Sequence, residues 1–290
     1  MHFRPFAALA LIALSAAPAH ANKPQVWTQD WEITTHPTVH VRVDDARVRI
    51  HAGPAGRIST RVEYALQRWG MVFGVRTPTV VFERKGDEMW IQARDPRGLA
   101  VIGGIEERFT VDVTVPPEVT LQVRTGDGAV EVAPLRGKLE IETGDGAVQV
   151  TGWSGELIVM TGDGRVEVED MQGGLRVRTR DGRINADGRF DVVDVTSRDG
   201  SVRVNAEKGS RVARPWLVES GDGRVDLRIP HDLAALLDVR SRDGRIRVDL
   251  PIPAAGDDRG RNTLVGELNG GGPALRVRTK DGGILLALSD

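Results

Sequence analysis

Leu121-Gln122-Val123-Arg124-Thr125-Gly126-Asp127-Gly128-Ala129-Val130-Glu131-Val132 is the unit from which most of this chain is built. Leu121, Val123 and Thr125 alternate with Gln122 and Arg124; past the Asp-Gly turn, Val130 and Val132 alternate with Ala129 and Glu131. Period-two alternation on both sides of a turn predicts two short strands, each with one face inward. Asp-Gly returns at Asp145, Asp163, Asp181, Asp199, Asp222, Asp243 and Asp281, at four intervals of 18 residues and then 23, 21 and 38, the last near two periods. Thr or Ser stands two residues before every Asp, from Thr125 to Thr279, and Val or Ile two residues after every Gly, from Val130 to Ile284.

Two arrangements satisfy this parity. Asp-Gly between strands is a hairpin signal, so the units could form an antiparallel meander. Alternatively, each turn passes the chain from one wall to another, and successive coils stack as parallel rungs. Eight hairpins would need about sixteen strands, a sheet wide enough that it must close or split. Stacked rungs explain the fixed period, because each lies about 4.8 Å above the last and a residue gained or lost would break the inward ladder. The extra residues fall around Lys208 to Pro215, where a far loop absorbs them. The expected fold is therefore all-β: a β-solenoid of about 18-residue rungs with two short strands per rung and an irregular β N-terminal portion, with the antiparallel hairpin meander as the alternative. One rung cannot offset its own backbone entropy, so stability must come from neighbours and the ends need caps. The last rung, Leu275 to Leu288 with outward Leu285, is the expected exposed edge.

Composition bounds the function. The 290 residues include 34 Gly and no Cys, and 39 Lys and Arg against 41 Asp and Glu give a net charge of -2. Without Cys there is no disulfide framework, thiolate metal site, cysteine nucleophile or lipid-anchor cysteine. The balanced charge gives no electrostatic footprint for nucleic acid. Residues 1–21 read as a cleavable signal peptide: Arg4, an apolar stretch from Phe6 to Ala17 too short to span a bilayer, and Ala19-His20-Ala21 as the peptidase site. The expected product is periplasmic or secreted and not membrane-spanning.

The chain divides into the signal peptide (1–21), an irregular N-terminal β region and cap with degenerate rungs (22–120) and the solenoid repeats (121–290). Within 22–120, Val41 to Ile50 keeps the repeat frame with Ala46 in place of Gly, and Val80 to Phe82 with Met89 to Gln92 suggests another strand pair. Two apolar, Gly-bracketed stretches, Arg68 to Gly74 and Gly98 to Ile105, are expected to cap the solenoid end or to expose a contact patch.

The Asp column carries the strongest hint of chemistry. Arg or Lys flanks Asp163, Asp181, Asp199, Asp222, Asp243 and Asp281, whereas Asp127 and Asp145 have none, so any calcium would sit near those two. The expected role of each Asp is instead a side-chain bond to turn backbone. The Thr/Ser column is read in the same way, as hydroxyls bonding the turn of their own or the next rung. His36 and His40 share a strand face some 13 Å apart, too far for one metal. No Gly-x-Ser-x-Gly, His-Glu-x-x-His or P-loop pattern is present. No catalytic, cofactor-binding or metal residue is assigned. Outward Ile158 and Met160, between Glu140/Glu142 and Arg176/Arg178, break the polar rule and suggest either a covering segment or an interface.

Val113-Thr114-Val115-Pro116-Pro117, followed by Leu121 to Gly128 and its reiterations, resembles the bacterial putative-adhesin domain of unknown function, an envelope family of β-strand repeats. The resemblance implies a solenoid-like fold and export, and no enzyme. The expected function is a non-catalytic exported envelope scaffold or adhesin-like binding module with a protein or envelope-polymer partner. A polysaccharide-processing β-helix enzyme is the alternative.

Overall fold

The computed structural model describes residues 24–33, 36–73, 77–95, 100–250, 258–260 and 262–289, with the backbone alone at 68–73, 100–105 and 258–260. The proposed signal peptide lies outside these residues. The described chain is all strand and turn, with no helix. The N-terminal strands are β1 (Gln25–Glu32), β2 (Thr38–Val43), β3 (Arg47–Ala52), β4 (Arg57–Phe73), β5 (Thr79–Lys85), β6 (Glu88–Arg94) and β7 (Ala100–Val115). The regular repeats follow as β8 (Glu118–Thr125), β9 (Val130–Val132), β10 (Leu135–Thr143), β11 (Val148–Thr151), β12 (Trp153–Thr161), β13 (Val166–Thr179) and β14 (Ile184–Ser197). Then come β15 (Val202–Ala206), β16 (Trp216–Ser220), β17 (Val225–Ile229), β18 (Ala235–Ser241) and β19 (Ile246–Asp249). The last four are β20 (Asp258–Gly260), β21 (Thr263–Leu268), β22 (Ala274–Thr279) and β23 (Ile284–Leu288).

Every pairing between successive rungs is parallel, which excludes the meander. In the wall before the turn, Leu121, Leu139, Leu157, Leu175 and Val193 stand in one register. In the wall after it, the file runs Val130, Val148, Val166, Ile184, Val202, Val225 and Ile284. These side chains are at most 2% exposed, so the core is a stack of like residues between two walls. Ion pairs between adjacent rungs line the outer faces, including Arg124–Glu142 at 2.9 Å, Arg176–Asp194 at 3.4 Å and Arg203–Asp226 at 3.6 Å. The expected far loop at Lys208 to Pro215 lies between β15 and β16.

Chain order and stacking order part at both ends. At the N-terminal end the β2/β3 rung, the degenerate one with Ala46, lies between β6/β7 and β8/β9. At the other end the β22/β23 rung lies between β16/β17 and β18/β19. Leu275 to Leu288 is therefore not the exposed edge that the sequence suggested. Threading it inward buries Leu275, Ile284 and Leu286, at most 2% exposed, on two neighbours instead of one. The 38-residue interval likewise is not two skipped periods: it holds β20 and β21, which turn antiparallel against each other and against β18 before β22 inserts. Beyond β6/β7, antiparallel β5 extends one wall and β4 with β1 extends the other. Trp31 against Phe82 (6.1 Å) and Tyr64 against Phe109 (5.6 Å) pack edge to face there.

The backbones of the two Gly-bracketed apolar stretches pair across β4 and β7, Arg68 with Ile105 through Phe73 with Ala100. Whether they cap or expose a patch falls on side chains outside the described set. Ile158 and Met160 lie between Glu140/Glu142 and Arg176/Arg178 as expected, and Met160 is 37% exposed. Among the described strands, β12 pairs with β10 and β13.

Candidate functional site: the turn seam

The repeated turns line up along one flank as a seam, and each of its residue types has a distinct task. Thr125, Thr143, Thr161 and Thr179 donate their hydroxyls to the turn carbonyl of the preceding rung, at Asp44, Gly126, Gly144 and Gly162, over 2.6–3.1 Å. Ser197, Ser220 and Ser241 also accept from the amide of the Gly three residues on, at 2.8–3.0 Å. The hydroxyl column thus joins rungs as well as closing turns, within the range of the sequence reading.

The Gly after each Asp is needed for closeness rather than for a left-handed backbone. A methyl built on Gly164 would lie 2.1 Å from the Gly146 carbonyl oxygen, and its counterparts from Gly128 to Gly244 meet the same obstacle. Ala46 begins the column, with no Asp-Gly turn stacked beneath it, and keeps its methyl fully buried.

The Asp column works in two ways, and here the structure corrects the sequence reading. The bonds cross rungs instead of closing each residue's own turn. Asp45 Oδ1 accepts the amide of Asp127 (2.9 Å), Asp127 that of Asp145 (3.1 Å), and Asp145 that of Asp163 (3.1 Å). In these Gly-Asp-Gly turns the next rung's backbone offsets the carboxylate charge. Farther along, two guanidinium groups do so: Arg198 bridges Asp199 (3.2 Å) and Asp181 (3.3 Å), and Arg242 bridges Asp243 (3.0 Å) and Asp281 (3.2 Å). The seam is consequently polar along its length, with acidic turns at Asp44, Asp45, Asp127, Asp145 and Asp163, then Arg-rich ones.

At the acidic end Arg42, Asp44, Asp45, Asp95, Arg124 and Glu142 line an open cleft. Burial, with Asp45, Glu107 and Asp44 nearby, pushes the Asp95 carboxyl up to about 6. Its Oδ1 is enclosed without a hydrogen-bond partner, and its amide donates to Asp44 Oδ2 at 3.1 Å. Nothing in the repeat pattern marks Asp95, because the residue lies outside the period. Asp127 and Asp145, the calcium candidates, spend an oxygen each on the next rung, and no group of three or more metal-ligating side chains occurs among the described residues. His40 and His36 remain apart in role: His40 stacks on Trp90 at 3.8 Å and bonds Gln122 at 3.0 Å, whereas His36 lies 3.6 Å from Glu118.

A family profile described as Toastrack DUF4097 matches residues 39–287, from the inserted first rung to the last strand. The chain belongs to the Toastrack family. The stacked, evenly spaced rungs are the β-solenoid-like repeat of that fold, a bacterial domain of unknown function. None of the curated proteins compared with the chain matches it. Among solved structures, a putative lipid binding protein from Parabacteroides distasonis is 13% identical over 90% of this chain and 96% of its own, with a TM-score of 0.49. A putative adhesin from Bacteroides fragilis is 9% identical over 91% and 97%, TM-score 0.35, and a putative cell adhesion protein from Clostridium sporogenes 11% identical over 92% and 100%, TM-score 0.31. At these values the likenesses carry no argument about what this Toastrack chain binds.

Proposed function

We propose that the protein is an exported, non-catalytic envelope component, an adhesin-like scaffold or binding module acting in the periplasm or outside the cell. The observation that carries this reading is the use made of the seam: the recurring hydroxyls, together with Asp127 and Asp145, bond the neighbouring rung, and the faces between carry paired charges. Such a body offers long, regular surfaces for contact. The domain division at 1–21, 22–120 and 121–290 belongs to the same proposal, with export driven by the first segment. Cell fractionation with N-terminal sequencing tests it: mature protein beginning near Asn22, in the periplasm or medium, is the expected result. Full-length protein confined to the cytoplasm overturns it.

One observation favours the enzymatic alternative, a polysaccharide-processing enzyme: the raised Asp95 carboxyl in a cleft with Asp44, Asp45 and two arginines. Against it, Asp44 and Asp45 are engaged by the amides of Asp95 and Asp127, and the Asp95 Oδ1 is enclosed. Hydrolysis of an envelope polysaccharide by the purified protein, lost in Asp95→Asn, would replace the binding role with this one.

A further inference from the structure

The Arg-rich half of the seam contains a regular file of cations. The amide ladder that follows each turn runs from Val166 to the Arg183 carbonyl, Ile184 to Ser201, Val202 to Arg224, Val225 to Gly283 and Ile284 to Arg245, all at 2.9–3.0 Å. Arg183, Ser201, Arg224, Gly283 and Arg245 therefore stack one above the next. One step below Arg183 the same column holds Arg165, which is taken up by Glu167 at 3.0 Å; above it Arg183, Arg224 and Arg245 alternate with two small residues, at a spacing of two rungs, or about 10 Å. All three are exposed and make no ion pair with any described residue. Exposed Arg180 and Lys280 flank them in the column before Asp. Of the five carboxylates in the same turns, Asp181, Asp199, Asp243 and Asp281 are already bridged by Arg198 and Arg242, which leaves the file free to attract an outside anion.

We propose that Arg183, Arg224 and Arg245 form a track for a linear acidic polysaccharide lying along the solenoid axis, one anionic group to each arginine. The inference rests on the exported binding role proposed above and names its ligand class. The spacing selects the class: about 10 Å is close to the length of a disaccharide, whereas phosphates along a nucleic acid strand recur at a much shorter interval. Guanidinium forks suit carboxylate or sulfate oxygens. Aromatic platforms for bases are absent from the described seam, since Trp153, Phe190 and Trp216, the aromatics of the repeats, are fully buried. A file one residue wide also contacts a chain better than a membrane plane.

The test is calorimetric titration of the full mature protein with hyaluronan oligosaccharides, which carry one carboxylate per disaccharide, against neutral dextran, single-stranded DNA and anionic vesicles. Hyaluronan should bind at 50 mM salt and weaken as salt screens the contact. Arg224→Gln should cost roughly tenfold in affinity and the triple Arg183→Gln, Arg224→Gln, Arg245→Gln variant should abolish binding with the melting temperature unchanged. Arg136→Gln, on the opposite half, should do neither. Absence of hyaluronan binding, its survival in the triple variant, or preferential binding of DNA or vesicles through the same arginines overturns the proposal. If the triple variant still reaches the envelope and retains its partners there, the track fails while the exported binding role stands; unprocessed cytoplasmic protein sinks the role itself.

Discussion

Gly164→Ala tests the principle on which the whole stack rests. The added methyl would sit 2.1 Å from the Gly146 carbonyl oxygen, 2.7 Å from Thr161 Oγ1 and 2.8 Å from the Gly146 carbonyl carbon, all on or beside rigid turn backbone. Bringing the first of these to 3.0 Å, below which real contacts essentially never fall, opens the two turns by about 0.9 Å. The bonds from Thr161 Oγ1 to Gly144 and from the Asp163 amide to Asp145, both 3.1 Å, would then stretch past hydrogen-bonding range, and the 2.5 Å Gly162 to Gly144 bond would be strained. Two or three such bonds at about 1 kcal/mol each put the cost at about 3 kcal/mol. Gly283→Ala is the matched control, because its methyl meets nothing closer than the Arg245 carbonyl oxygen at 3.4 Å, an ordinary contact. That variant should be neutral or stabilised by up to about 1 kcal/mol, through a less flexible unfolded chain. Urea unfolding followed by far-ultraviolet circular dichroism reads both. Equal stability of the two variants would refute the claim that these glycines are there for inter-rung contact.

Three further outcomes follow from the seam. Asp145→Ala, which removes the acceptor for the Asp163 amide, should cost about 1 kcal/mol in the same unfolding assay, and Asp145→Asn, which keeps an acceptor oxygen, clearly less; equal losses would assign the effect to charge alone. Asp95 binds its proton more tightly folded than unfolded, so its ionisation costs stability as pH rises from about 4 to about 6. Asp95→Asn should therefore stabilise by about 1–2 kcal/mol at pH 7, after allowance for solvent screening, and by much less at pH 4; a pH-independent gain would contradict the assignment. Millimolar calcium should leave the melting temperature unchanged, because Asp127 and Asp145 are engaged by backbone; a clear upward shift would reinstate the ion.

Periodic features were legible in the sequence and exceptions to the period were not. Eighteen-residue spacing, alternating Val and Leu, and a hydroxyl before each Asp all report the same constraint, that like atoms stack on like atoms. Asp-Gly, by contrast, has two physical meanings, a left-handed hairpin turn or a side chain too small to obstruct a neighbour, and only parallel register separates them. The order of rungs at the ends left no local trace, because the Leu275 to Leu288 rung carries the same inward residues whether it closes the stack or is threaded into it. Asp95 was missed for the opposite reason: its carboxyl is raised by burial and by the charges of Asp45, Glu107 and Asp44, and Asp44 and Asp45 reach it only because the β2/β3 rung is inserted beside β6/β7. The change from Gly-Asp-Gly at 126–128, 144–146 and 162–164 to Arg-Asp-Gly at 180–182 and 198–200 was visible in the sequence; its meaning depended on knowing which carboxylates the arginines bridge.

The threaded ends also decide how such a chain can lengthen. Residues 274–288 close the described chain yet are held between two other rungs, so a coil continuing from them would find no free step beside them. New coils fit only in the run between β8 and β17, where chain order and stacking order agree. Duplication of a whole 18-residue coil there lifts both closures apart without disturbing either. A variant carrying a second copy of residues 135–152 should fold with the same two ends, one rung farther from each other.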